Sequence, residues 1–437
     1  MAQRRFLRDV VGVLNSNVFS LACGIGVSIL LTRILGPEGF GLYSAIAIIP
    51  IIVVSLTHLG IRGASIFHLG KKLYDENELV STIMVLLIFS STAGIILSII
   101  AYYFYQEPDF NLLWIALILL IIPARLAIIY IGGVFLGKDE IKKANNLNWM
   151  TNLIHLVLAI ILVWLMDMSI LGAIISMLVS SLLIGGYAIY QVTSIFDVKL
   201  RIHKKIIVEL LKLGVLFSVA FFFIQLNFRL DILLLQKLSS EQEVGIYSLG
   251  AHVAELLWQI PLAISIVVFS RTANIEETEL MEKHTGKLLR ITFLLAVLAA
   301  VAIFITAPYI IPFVFGAEFI PSVRIIQYIL PGIILIVIYR ILSGHLAGLG
   351  KPQVTIYIFA PALVINILLN LLWIPEYGGK GAAMATNISY ALGTAGYLIA
   401  YSIILKIPVY ELIRYRKSDF ENIRELLDFI KRLKPWP

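Results

Sequence analysis

The sequence predicts an all-α integral membrane protein of about twelve transmembrane helices, built as two pseudosymmetric six-helix bundles around a central cavity. Three observations carry that prediction: the composition, the row of apolar segments, and an internal repeat. Of the 437 residues, 60% are hydrophobic and 14% are charged, against roughly half and about one quarter in an average soluble domain. A soluble fold has too little interior to hide so much apolar surface. The composition therefore excludes a soluble enzyme, a disordered chain and a fibrous one.

Apolar runs fall near 11–32, 41–61, 81–104, 112–136, 148–166, 170–190, 212–236, 245–269, 290–311, 322–346, 353–373 and 382–404. Each is continuous for roughly 20 residues, the length of one helical crossing. Barrel strands would alternate over about ten residues instead. Arg4, Arg5 and Arg8 precede the first run. That run is too long for a signal segment and lacks a small-residue cleavage site, so it is expected to stay as the first span.

Lys and Arg set the orientation. Odd-numbered connections carry three, Arg33, Lys237 and Lys380, while the N-terminus, the even connections and the C-terminus carry 26, counting Arg290 at the edge of span 9. This bias predicts a multi-pass membrane protein with both termini in the cytoplasm. The exterior connections are too short for a folded domain. Two amphipathic stretches are expected on the cytoplasmic side: residues 62–80, and a surface helix over 418–433 opened by a capping box at Ser418-Asp419-Phe420-Glu421.

The chain repeats itself. Residues 36–44 read GPEGFGLYS and residues 240–248 read SEQEVGIYS, which aligns Gly41 with Gly245, Tyr43 with Tyr247 and Ser44 with Ser248 at an offset of 204. Gly137-Lys138 and Gly350-Lys351 both close a fourth span, at an offset of 213; Gly172-Ala173 and Gly381-Ala382 both open a sixth, at 209. The expected organisation is a six-helix bundle over 1–205, a second over 206–405 and a cytoplasmic tail over 406–437. Six crossings return the chain to its starting side, so the two bundles share one orientation and enclose a site between them.

Taken together, Arg33 through Tyr43, Asp231 with Val244 through Ser248, Phe315 through Phe319, Asn366 through Asn370, and Ile374-Pro375 with Gly378 through Thr386 resemble the polysaccharide transporter family. These are the Wzx-type flippases of the multidrug/oligosaccharidyl-lipid/polysaccharide exporter superfamily. The resemblance covers the whole chain. It implies translocation of a polyprenyl-pyrophosphate-linked oligosaccharide, such as a polysaccharide or O-antigen repeat unit, across the cytoplasmic membrane by alternating access. It also implies membrane lipids and a polysaccharide polymerase or glycosyltransferases as partners, with no nucleic acid. Sugars and pyrophosphate cannot cross hydrocarbon unaided, whereas a prenyl tail can stay in lipid. An ion-coupled multidrug exporter of the same superfamily is the alternative reading. A membrane glycan polymerase or glycosyltransferase is a further one, although it would need a larger exterior loop.

Ionisable groups inside spans are costly and mark candidate sites. Arg125 in span 4 and Arg340 in span 10 sit at nearly repeat-equivalent depths, and an arginine fork grips phosphate oxygens well. With Arg229 they are the candidate substrate-cavity residues. Asp231, His252 and Glu255 are the candidate coupling or gating residues. Arg229 and Asp231 are two apart on one helix and point to opposite faces. Counting back from the short 237–244 connection brings Arg229 level with His252 and one turn from Glu255. Static structural pairing is the competing role for each of these groups. His58, Arg62, His155 and His345 read more simply as satisfied or snorkelling polar residues. No nucleotide-binding glycine loop, HExxH motif or Cys/His cluster occurs, and Cys23 is the single cysteine. The expectation is a transporter rather than an enzyme, with no metal and no cofactor.

Overall fold

Lipid offers no hydrogen-bond partners to the backbone, so apolar runs of this length must satisfy their N–H and C=O groups within helices. A computed structural model describes residues 2–105, 109–274, 278–416 and 419, and within these the secondary structure is helical throughout. In chain order the helices are α1 (Ala2–Thr57), α2 (Ile61–Gly70), α3 (Glu76–Tyr105), α4 (Leu112–Leu119), α5 (Ile121–Gly137), α6 (Ile141–Ala159), α7 (Ser169–Ile195) and α8 (Lys204–Leu238). They continue with α9 (Glu241–Glu255), α10 (Gln259–Asn274), α11 (Thr278–Phe315), α12 (Ile320–Gly348), α13 (Gln353–Tyr377), α14 (Gly379–Leu405) and α15 (Val409–Ile413).

Among the described residues, ten helical segments are long and apolar enough to cross a membrane. The first, Val18–Gly70, has 53 residues, about 80 Å of helix at 1.5 Å per residue and more than twice a hydrocarbon core of about 30 Å. Gly36 interrupts it with φ 65° and ψ −177°, so this segment supplies two crossings. A three-residue 3₁₀ turn, Leu256–Trp258, splits span 8 into α9 and α10. Neither piece is a full crossing alone, and together they make one. These two features reconcile ten segments with the expected twelve spans. The tail helix expected over 418–433 lies outside the described residues except for Asp419.

Close approaches repeat between the halves. Gly133 and Gly137 of α5 pack on α2, where an added Cβ would lie 2.8 Å from Arg62 Cα and 3.0 Å from the Ser65 carbonyl oxygen. Gly344 and Gly348 of α12 pack likewise on α10, with a Cβ 2.6 Å from the Ser265 oxygen and 2.9 Å from the Phe269 oxygen. Small residues four apart let two backbones meet, the usual adhesive of helices in lipid. The offset here is 211, so Gly137 corresponds to Gly348 rather than to Gly350. Gly172 of α7 and Gly381 of α14 also match, each lying against a carbonyl of the preceding span, Leu162 and Trp373.

The halves meet at both ends. Gly41 fits beneath α9, with a Cβ 1.9 Å from the Glu241 oxygen, and Gly245 fits beneath α1, with a Cβ 1.8 Å from the Pro37 oxygen. At the opposite end Gly60, at φ 62°, and Gly214 touch through backbone, a Cβ on Gly214 lying 2.1 Å from the Leu59 oxygen. The Ser218 hydroxyl donates to the Leu56 carbonyl at 2.7 Å beside that contact.

A cationic cavity between the halves and a buried polar row in the C-terminal half

Between these closures α1, α5, α7 and α8 enclose a cavity of about 170 Å³. Its wall is apolar, from Pro50 and Ile51 to Ile122 and Phe221, apart from Ser55, His58, Gln225 and Arg125. Phe221 and Gln225 belong to α8, so both halves contribute. Arg125 follows Pro123 on α5. Its side chain is exposed to the cavity, and it makes no hydrogen bond or ion pair among the described residues. No carboxylate lines the space.

Arg340 lies elsewhere. The 211 offset pairs it with Ile129, one helical turn from Arg125, and it does not line the same cavity. Its guanidinium stacks on two aromatic faces, 4.8 Å from the Trp258 ring centre and 5.3 Å from that of Phe228. Such stacking contributes about 2 kcal/mol when desolvated. The two rings are 4.6 Å apart, with Tyr390 edge-on to Phe228 at 5.4 Å. The Arg340 Nε has no acceptor, so the aromatic surfaces hold the cation and leave its fork unoccupied.

Arg229 reaches across the α8–α9 hairpin. Its Nη1 donates to Glu255 Oε1 at 3.0 Å and its Nη2 to Oε2 at 2.7 Å. The side chains are 25% and 12% exposed, so the pair borders open space. His252, one turn back, is exposed and takes no part in the pair.

Asp231 points the other way, as its spacing from Arg229 requires. It is 2% exposed. Its Oδ2 accepts from the Tyr247 hydroxyl and, at 3.2 Å, from Thr386; its Oδ1 accepts its own chain's Ile232 N–H at 2.9 Å. One turn earlier on α8, Asn227 Oδ1 accepts from Ser389 at 2.7 Å. On α13, Asn370 Nδ2 donates to Asn366 Oδ1 at 3.0 Å, leaving Asn370 Oδ1 and Asn366 Nδ2 without partners. A row of buried polar side chains, in three hydrogen-bonded groups, thus spans α8, α9, α13 and α14. Its carboxylate, hydroxyl and amide oxygens have the hard-donor chemistry of a small-cation site, and the described residues hold no cluster of three His, Cys, Asp or Glu.

Tyr247, Thr386, Ser389, Phe228 and Trp258 escaped the sequence reading as site residues. Tyr247 had a usable signal, since it stands in the repeated Gly-x-Tyr-Ser element and near Asp231 across the same hairpin.

The architecture and this row of intramembrane polar groups define a multi-pass membrane protein of the transporter type. The chain belongs to the family described as Polysaccharide biosynthesis protein, whose model matches residues 6–276. A second model, MatE, matches residues 217–372. An "Uncharacterized membrane protein MJ1375" of Methanocaldococcus jannaschii is 23% identical over 92% of this chain and 98% of its own. The "Putative O-antigen transporter" of Shigella flexneri is 26% identical over 83% of this chain and 89% of its own. Among solved structures, the "Lipid II flippase MurJ, inward closed conformation" superposes with a TM-score of 0.73 at 16% identity, covering 97% of this chain and 93% of that one. This last likeness establishes the shared fold.

Proposed function

We propose that the protein flips a lipid-linked oligosaccharide across the cytoplasmic membrane by alternating access of its two halves, residues 1–205 and 206–405. The observation that carries this reading is Arg125: a guanidinium in mid-span with no hydrogen-bond or ion-pair partner among the described residues, facing a cavity that both halves line. An unpaired charge at that depth costs about 3 kcal/mol or more, and an anionic cargo would offset it. A polyprenyl pyrophosphate supplies such an anion while its tail stays in lipid. The relative named for O-antigen transport supports the same cargo class. The Lys/Arg bias supports an orientation with both termini in the cytoplasm, so that the Gly41 end faces outward.

The MatE match favours a second reading, export of a drug coupled to an ion. A cationic drug needs an acid in its cavity, and the Arg125 cavity has none. Coupling is assigned to Asp231 and the polar row, with the Arg229–Glu255 pair and His252 as the gate.

Complementation of a flippase-deficient strain, normalised to protein level, tests the cargo. Arg125→Ala and Arg340→Ala are each expected to impair glycan export at normal abundance, Arg→Lys less so, and Arg125→Glu to abolish it. Full activity of the double alanine variant at normal abundance would reject a cationic grip on the cargo. Export of a cationic dye without glycan flipping would favour the second reading.

A further inference from the structure

Among the described residues four cations stand at the Gly41 end of the bundle, and two of them are engaged. Arg33 donates through Nε to the Val314 carbonyl at 2.8 Å and through Nη2 to that of Phe313. Lys237 donates to the Tyr105 carbonyl at 3.0 Å. Arg324 and Lys380 differ: neither makes a hydrogen bond or ion pair among the described residues. Both line one cavity of about 590 Å³ in the C-terminal half, separate from the Arg125 cavity.

Three features of that cavity point to one ligand chemistry. First, the two cations converge on one cavity near helix N-termini, whose dipole favours an anion, Arg324 from the second turn of α12 and Lys380 from the first turn of α14. A cation placed there without a partner is unfavourable unless an anion joins it. Second, the one acid on the wall, Glu243, is engaged through Oε2 by the Gly379 N–H at 2.9 Å. Gln327 and Tyr377 add neutral polar groups. Third, the remaining wall is apolar and open: Pro308 and Pro321 are exposed, and Ile320 is 54% exposed. Phosphate-binding groups on one side and a bare apolar ledge on the other match an amphiphile held by its head. The position suits it too, since residues 320–324 and 377–380 are helix ends, where the apolar run of a span stops.

We propose that this cavity binds the phosphate or diphosphate headgroup of an anionic lipid, at the mouth that the charge bias assigns to the outer leaflet. The headgroup has two sources, the flipped prenyl diphosphate or a resident anionic phospholipid. The site rests on the flippase reading only for the first source. Arg324 and Lys380 would grip phosphate oxygens after transfer, outside the path between the halves.

Native mass spectrometry of the purified full chain in neutral detergent tests this, in an Arg125→Ala, Arg340→Ala background that removes the free central cations. The probes are farnesyl diphosphate, phosphatidylglycerol and phosphatidylcholine. Both anionic probes should bind more tightly than phosphatidylcholine. Arg324→Gln and Lys380→Gln should each weaken them by about tenfold, whereas Arg324→Lys with Lys380→Arg should retain binding. The conservative pair and an unchanged melting temperature separate a lost site from a misfolded protein. Tighter diphosphate binding identifies the flipped carrier as the source, and equal binding identifies a resident phospholipid; each supports the site. Unchanged affinity in the double Gln variant, or phosphatidylcholine bound as tightly as the anionic lipids, overturns it. Binding, not transport, is read, so failure of the flippase reading leaves a separate signature.

Discussion

Arg229 and Glu255 face each other as a two-pronged ion pair, at 3.0 and 2.7 Å, across the antiparallel hairpin of spans 7 and 8. The pair sits beside His252 and two residues from a buried acid on the opposite face of the same helix. Removing one partner strands the other at membrane depth. Glu255→Gln should destabilise the protein by about 3–5 kcal/mol, and Arg229→Gln with Glu255→Gln by clearly less. Thermal unfolding in detergent compares them. A double variant damaged by the sum of the two single losses would mean the two residues act separately.

Asp231 depends on its donors. Tyr247→Phe removes one and is expected to cost about 1–3 kcal/mol, because the carboxylate is buried at 2% exposure. Asp231→Asn keeps the shape while removing the charge, so abundance should hold as ion-driven flipping falls. Flipping of a fluorescent glycolipid in vesicles with and without an imposed proton or sodium gradient distinguishes a coupling role from a packing role. Gradient-stimulated flipping equal to the parent protein would end the coupling assignment.

The glycine contact at the Gly41 end leaves no room for a methyl group. Gly41→Ala or Gly245→Ala must push the two halves apart, since the added carbon would overlap a carbonyl oxygen at 1.9 or 1.8 Å. Gly24→Ala meets nothing within 4 Å and serves as the control. In a Cys23→Ser background, a cysteine placed at Ser44 should label faster in the first two variants only. Equal labelling in all three would show that this closure is not tight.

The tail is clasped to span 9. Arg290, 7% exposed at its side chain, donates Nε to Asp419 Oδ2 at 2.7 Å and Nη2 to Oδ1 at 2.8 Å. Burial alone would raise the Asp419 carboxyl, but the Arg290 guanidinium and the Arg416 N–H hold it below its ordinary value of 3.8. A carboxyl lowered on docking stabilises the docked state above its free value and loses that contribution as pH falls through the lowered one. Docking should therefore be constant from neutral pH down to about 5 and weaken only below about 4. Limited proteolysis after residue 405 reads it. Arg290→Ala and Asp419→Asn should expose the tail already at pH 7, and tail release between pH 5 and 7 in the parent chain would contradict the assignment.

The crossings were legible because lipid forces a long apolar run into a helix, leaving little for tertiary context to decide. The partner of Arg229 was within reach for a similar reason: a short hairpin fixes the depth of facing residues. The stacking of Arg340 on Trp258 was not, since it depends on how α12 rotates against the broken span 8. The 3₁₀ turn at Leu256–Trp258 that presents the indole has no glycine or proline inside it to announce it. The repeat was visible, but its register at spans 4 and 10 was not. Sequence matching chose the Gly-Lys pairs in the connections, where insertions are tolerated, over the packing glycines within the helices. That difference separates Arg125 from Arg340 by one turn.

Gly41 lies against the carbonyl of Glu241 while Gly245 lies against that of Pro37, and residue 241 stands to 37 as 245 stands to 41. The contact is self-complementary, as in a twofold homodimer, where residue i meets j and j meets i. One six-helix unit bears both members of it. The connection between α7 and α8 is thus a tether between two subunits that already match, and the axis relating them runs through this pair of glycines. The unequal settings of Arg125 and Arg340 are therefore departures from twofold symmetry within a frame that this contact keeps symmetric.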